Sequence, residues 1–134
     1  MALRDELGAL VRVVATRTRV EWLLATRPLD RCLDELTPEH RPASVDDAEV
    51  ERVARWTERL LRNRRLPRTT CLHRALTRYS LLARAGADPE FLLGLGTDGL
   101  EGHAWVTLDG RPWREGDVAS LVPTFRHSLS DRAQ

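Results

Sequence analysis

Apolar positions in the first part of the chain recur at helical spacing. Leu3, Leu7, Leu10 and Val14 fall three or four residues apart, and Val11, Trp22 and Leu23 widen the stripe. This rhythm predicts a helix over residues 3–25 that buries those side chains and turns Arg4, Asp5, Arg12, Arg17 and Arg19 to water. Pro28 ends it, and residues 29–36 have room for one or two further turns. Pro38 and Pro42 mark residues 37–44 as loop. Ser44 is a fitting N-cap for the next helix, with Asp46, Asp47 and Glu49 in its first turns. Its stripe is Val50, Val53, Trp56 or Thr57, and Leu60, and Arg62-Asn63-Arg64-Arg65 supplies cations for its C-terminus. After Pro67, Thr69 or Thr70 caps a helix over residues 71–85. Leu72, Ala75, Leu76, Tyr79 and Leu82 or Ala83 form its buried face, and Gly86 stops it.

The pattern then changes. Residues 91–95 are a short apolar run that reads as a strand, and 96–102 is a loop with three glycines. Residues 103–108 alternate, as a second strand does, with Ala104, Val106 and Leu108 on the core face and His103 and Trp105 on the other. Asp109-Gly110 is a hairpin turn, followed by a return strand over 111–115. Leu121, Val122 and Phe125 dock part of the tail, while 128–134 reads as loose. Helices first and an antiparallel sheet second is an α+β plan. One domain over 1–134 follows, with a helical part in 1–65 and the chemistry-bearing helix and sheet in 66–118.

Composition narrows the function classes. The 134 residues carry 21 Lys plus Arg against 20 Asp plus Glu, a net charge of +1 that argues for neither a nucleic-acid nor a membrane surface. No export signal opens the chain, and no apolar run approaches the ~20 residues that span a bilayer. The expectation is a cytoplasmic protein whose two cysteines, Cys32 and Cys71, stay reduced.

The chemistry centres on Cys71 and His103. Unpaired N–H groups at a helix start favour an anion, so Cys71 is placed as a nucleophile. Arg74 and Arg78 lie three and seven residues on and add positive potential. An imidazole on a facing strand would hold the thiolate and move a proton, and His103 is that candidate. Its orienting acid is left open between Glu115 and Asp117. In a regular ladder His103 faces Gly116 and both acids turn away, so a bulge is needed to bring one round. His73, two residues from Cys71, reads as a rim or pocket residue. His40 and His127 read as solvent-exposed and Cys32 as packing. No CxxC or HExxH pattern accompanies Cys71, His73 and His103, so no metal is expected.

Three stretches carry a resemblance. Cys71-Leu-His-Arg-Ala-Leu-Thr-Arg-Tyr-Ser-Leu-Leu-Ala-Arg-Ala-Gly86, Phe91-Leu-Leu-Gly-Leu-Gly96 and Gly102-His-Ala-Trp-Val-Thr-Leu-Asp-Gly-Arg-Pro112 resemble the leader peptidases of lasso-peptide biosynthesis. These are transglutaminase-like cysteine peptidases within the wider papain-like fold, and the likeness covers about residues 66–118. It implies the form that is separate from its leader-recognition protein. It implies cleavage of a ribosomally made precursor at the leader–core junction. That cut frees an amine for a separate ATP-dependent macrolactam cyclase. It further implies Cys71 as nucleophile, His103 as base and Glu115, or Asp117, as third member. Trp105, Arg74 and His73 are expected near substrate. No cofactor is implied.

Overall fold

The computed structural model describes residues 2–62, 70–96, 102–114, 118 and 121–132. Helix α1 spans Ala2–Thr26, α2 Leu29–Leu36 and α3 Asp47–Thr57, which runs on into a π-helical stretch, Glu58–Arg62. Helix α4 is Cys71–Arg84. Strands β1 Glu90–Gly96, β2 Gly102–Leu108, β3 Arg111–Pro112 and β4 Leu121–Ser128 follow, and α5 is the short Leu129–Arg132. The strands form one antiparallel sheet in the order β3-β2-β1-β4. The α+β plan expected from the sequence is the architecture observed. No helix among the described residues is long and apolar enough to cross a membrane.

Helix α4 is the pillar of the molecule. Every residue from Ala75 to Ala83 is buried. Ala75, Leu76, Tyr79 and Leu82 share one core with Val20 and Leu23 of α1, Cys32, Leu33 and Leu36 of α2, and Phe91, Ala104 and Val106 of the sheet. A smaller cluster of Val13, Val53 and Leu81 fills the wedge between α1, α3 and α4. Gly86 ends α4 at φ +92, and a Cβ there would collide with the Ser44 carbonyl oxygen. The same corner is tied by the Asp46 N–H, which donates to the Ala85 carbonyl at 2.8 Å. Glycine is therefore required for close approach as well as for its torsion.

Several expectations are corrected. The stripe of α1 is out of phase: Leu3 is 72 % and Val11 64 % exposed, and Leu7, Val14 and Trp22 are also exposed. Of the predicted stripe Leu23 is buried, and it shares the inward face with Ala9, Val13, Thr16, Arg17 and Val20. The small residues of that face let α1 sit close to α3 and α4, and polar links fix the rotation. Arg12 pairs with Glu49. Glu6 accepts from Arg55 at 2.6 Å and from the Trp56 indole at 2.8 Å, bonds that hold its carboxyl below the usual carboxylate range. Arg17, expected in water, is buried and pairs with Glu21 at 2.9 Å. The N-cap of α3 is Asp46, which accepts from the Glu49 N–H at 3.1 Å, not Ser44.

The tail holds the largest surprise. Its residues form β4 along the free edge of β1, with a bulge between Leu93 and Gly94 where Pro123 enters. Proline interrupts the strand signal, yet an edge strand with a bulge tolerates it. His127, expected at the surface, is buried on β4 edge-on to Tyr79, with ring centroids 5.8 Å apart. Residues Leu129–Arg132, read as loose, form α5.

Candidate active site at the start of α4

The helix start that carries Cys71 is built by a reciprocal cap. Thr70 is the N-cap: its hydroxyl oxygen accepts from the His73 N–H at 3.3 Å. The Thr70 N–H donates to His73 Nδ1 at 3.2 Å, and the hydroxyl lies 2.8 Å from the same nitrogen. This is a capping box with histidine in the position usually held by Glu or Gln. Cys71 is thus the first residue of α4, half-buried and leaning on the main core. Both cysteines are free. Cys32 is fully buried and donates to the Arg27 carbonyl at 3.5 Å, and burial pushes its thiol up, as suits a packing residue.

His103 lies on the strand that α4 covers. Residues 85–89 join α4 to β1, and β1 pairs antiparallel with β2. Helix α4 packs more extensively on β2 than on any other strand. His103 is the second residue of β2, opposite Gly94.

The faces of β2 divide as the alternation predicts. Ala104 and Val106 point into the core under α4. His103 and Trp105 therefore project from the opposite face, and their rings stack at 6.0 Å with only 15° between planes. Trp105 is 3 % exposed, and the outer edge of its indole reaches β1 at Gly94. A Cβ on Gly94 would come within 2.8 Å of the indole and 3.0 Å of the Val122 carbonyl oxygen. Gly94 is thus the seat of Trp105, and Trp105 backs the imidazole. The lone glycine inside the apolar run Leu92-Leu93-Gly94-Leu95 is the signal that marks such a close approach. At the end of β2 Gly102 leaves space: a Cβ there would meet nothing nearer than Leu95 Cδ2 at 3.8 Å.

The positive field expected from Arg78 is absent. Its side chain is 2 % exposed and pairs with Glu58 at 3.3 Å. It lies over the Trp113 indole at 5.5 Å and donates to the Arg114 carbonyl at 3.5 Å. Arg114 also lies over the Trp113 ring, at 6.0 Å, and its guanidinium reaches both Glu51 oxygens at 3.0 and 3.2 Å. The charge of Arg78 is spent on bracing the chain just after the hairpin against α4 and the π-helical stretch. An arginine among Ala75, Tyr79 and Leu82 is the sequence sign of such a buried pair.

Arg74 and His73 are half-buried on the first turn of α4 beside Cys71. Burial, then the positive charge of Arg17, holds the His73 imidazole below the usual histidine range. His40 is exposed. The turn Asp109-Gly110 has positive φ at both residues, 54° and 77°, as a two-residue hairpin demands, and Leu108 pairs with Arg111. Glu115, Gly116 and Asp117, on which the choice of acid turns, lie outside the described residues.

Neither a curated protein nor a solved structure gives a match to this sequence. The family model of the Transglutaminase-like superfamily does match, over residues 10–130, a span that runs from within α1 to within α5. The match covers most of the sequence, and the chain belongs to the Transglutaminase-like superfamily.

Proposed function

We propose that this protein is a cysteine peptidase that removes the leader from a ribosomally made lasso-peptide precursor. The superfamily typically houses cysteine hydrolases and transferases. What supports the reading is a cysteine at the capped start of α4 and a histidine near the start of β2, the strand on which α4 packs most, together with the resemblance of residues 71–86, 91–96 and 102–112.

In this reading the Cys71 thiolate attacks the scissile carbonyl at the leader–core junction. The backbone N–H of Cys71 is the simplest donor to the oxyanion. The C–N bond breaks as the His103 imidazolium protonates the departing amine. Water, deprotonated by His103, then hydrolyses the thioester and restores the thiol. Cys71 leans to the core side of β2 and His103 to the other, so the imidazole must reach the thiol round the Gly102 end, where the backbone carries no side chain. Glu115 or Asp117 serves as the orienting acid. Arg74 and His73 border the substrate path, and Trp105 supports the histidine from behind. A small leader-recognition protein presents the precursor, and an ATP-dependent cyclase takes the product amine.

The test is incubation with precursor peptide and leader-recognition protein, read by mass spectrometry. Cys71→Ala and His103→Ala should each abolish cleavage while far-UV circular dichroism stays unchanged. Normal cleavage by Cys71→Ala would remove the peptidase reading. A product in which the acyl group has moved to an amine would instead select acyl transfer, the other chemistry of the superfamily. Glu115→Ala and Asp117→Ala identify the acid by which loses more activity.

A further inference from the structure

The outward face of α1 is apolar along nearly its whole length. Leu3, Leu7, Val11, Val14 and Trp22 are all exposed, and Leu10 is half-buried beside them. At 100° per residue these side chains fall on one broad arc, opposite the Ala9–Val13–Val20–Leu23 face that packs inward. Between Leu7 and Thr18 the arc holds no charge, because Arg12 turns away to Glu49 and Arg17 is buried. Thr18 adds to it: its hydroxyl donates to the Val14 carbonyl at 2.9 Å, which leaves its methyl group outward. The stripe from Leu3 to Trp22 is about 29 Å long at 1.5 Å per residue. An apolar surface of that length exceeds the scattered exposure normal for a monomer.

Its spacing names the occupant. Positions 3, 7, 11, 14, 18 and 22 are separated by 4, 4, 3, 4 and 4 residues, a series that reads the same in both directions. A two-fold axis between residues 12 and 13 carries the stripe onto itself. It sets Leu3 against Trp22, Leu7 against Thr18, Leu10 against Ala15 and Val11 against Val14. A two-fold interface requires this self-complementarity, since one patch must serve as both surfaces. The ends are complementary as well. Arg4 of one copy comes level with Trp22 of the other on the same edge of the arc, a cation against an aromatic face. Large apolar side chains at the centre and charges at the rim are the usual anatomy of an interface core.

We infer that the outward face of α1 is the docking surface for a second copy of this chain, the two α1 helices lying antiparallel about an axis between residues 12 and 13. The arrangement keeps Cys71 outside the contact, because α4 lies on the inner side of α1.

Sedimentation velocity of the full chain over a wide dilution series tests this. A twofold rise in mass with concentration is expected. Val11→Glu should return the chain to monomer with unchanged circular dichroism, since that side chain contributes nothing to the core. For orientation, Leu7→Cys and Thr18→Cys proteins are mixed, each with Cys71→Ser. In the antiparallel pair two copies of residue 7 stand about 16 Å apart along the axis, so a disulfide should form in the mixture and not in either protein alone. A monomer at every concentration would overturn the inference, as would a Val11→Glu dimer or a disulfide formed by Leu7→Cys alone. Binding of the monomer to lipid vesicles would overturn it in favour of a membrane.

Discussion

Helices α1 and α4 look alike as sequences and behave differently as structures. Both are long, arginine-rich and apolar at helical spacing. Helix α4 is buried on all sides from Ala75 to Ala83, even at Thr77, Arg78 and Ser80. Helix α1 buries one face, Ala9, Val13, Thr16, Arg17, Val20 and Leu23, and leaves Leu3, Leu7, Val11, Val14 and Trp22 exposed. Burial therefore follows from where a helix sits in the layers, and only secondarily from how apolar it is. The helix that carries the candidate nucleophile is gripped by α1, α2, α3 and the sheet together, so the position of Cys71 is determined many times over.

The sharpest test of this contrast is a matched pair of truncations. Leu76→Ala should cost about 2–5 kcal/mol of stability, because the cavity is sealed on all sides. Leu7→Ala on α1 should fall within about 0.5 kcal/mol, as surface changes do, when measured on the monomer. Equal losses in urea melts would refute the division. Next comes the sheet under α4: Gly94→Ala overpacks the Trp105 seat and should cost about 1–3 kcal/mol. It should also slow cleavage more than that loss explains, because the displaced indole shifts His103. Wild-type cleavage would show that the stack does not position the imidazole. At the tip of α4, Thr70→Ala should cost about 1 kcal/mol by removing the cap.

The smallest effect is one of pH. His73 Nδ1 accepts from Thr70 only when unprotonated, and burial holds its imidazole below the ordinary value of 6.5 in the folded protein. The unfolded chain therefore binds a proton first as pH falls. This contribution is fully present above pH 6.5 and is lost as pH drops from there through the lower folded value. His73→Gln keeps an acceptor at the same position and should flatten that part of the stability–pH curve. An unchanged slope in the variant would assign the dependence to other groups.

The parts of the site that local chemistry dictates were legible in the sequence. Threonine before Cys71, glycine after the helix and Asp-Gly after the strand are signals with single mechanical meanings, and each element they bound is present. The phase of α1 was not legible, because both of its faces are apolar and periodicity alone cannot choose between them. Ion pairs from α3 make the choice, and these are tertiary. Strand β4 was hidden by Pro123 and by the bulge that accommodates it, and with β4 went the burial of His127. The role of Arg78 was misread because a cation near a thiol suggests a field, while its partners Glu58 and Trp113 are distant along the chain.

Both outer strands of the sheet carry a proline, Pro112 in β3 and Pro123 in β4. Neither residue has an N–H to offer, and the second sits where the register already slips. An extended peptide arriving at these rims finds no continuous row of donors to zip onto. The two prolines thereby guard both rims of the sheet against pairing edge to edge with another chain.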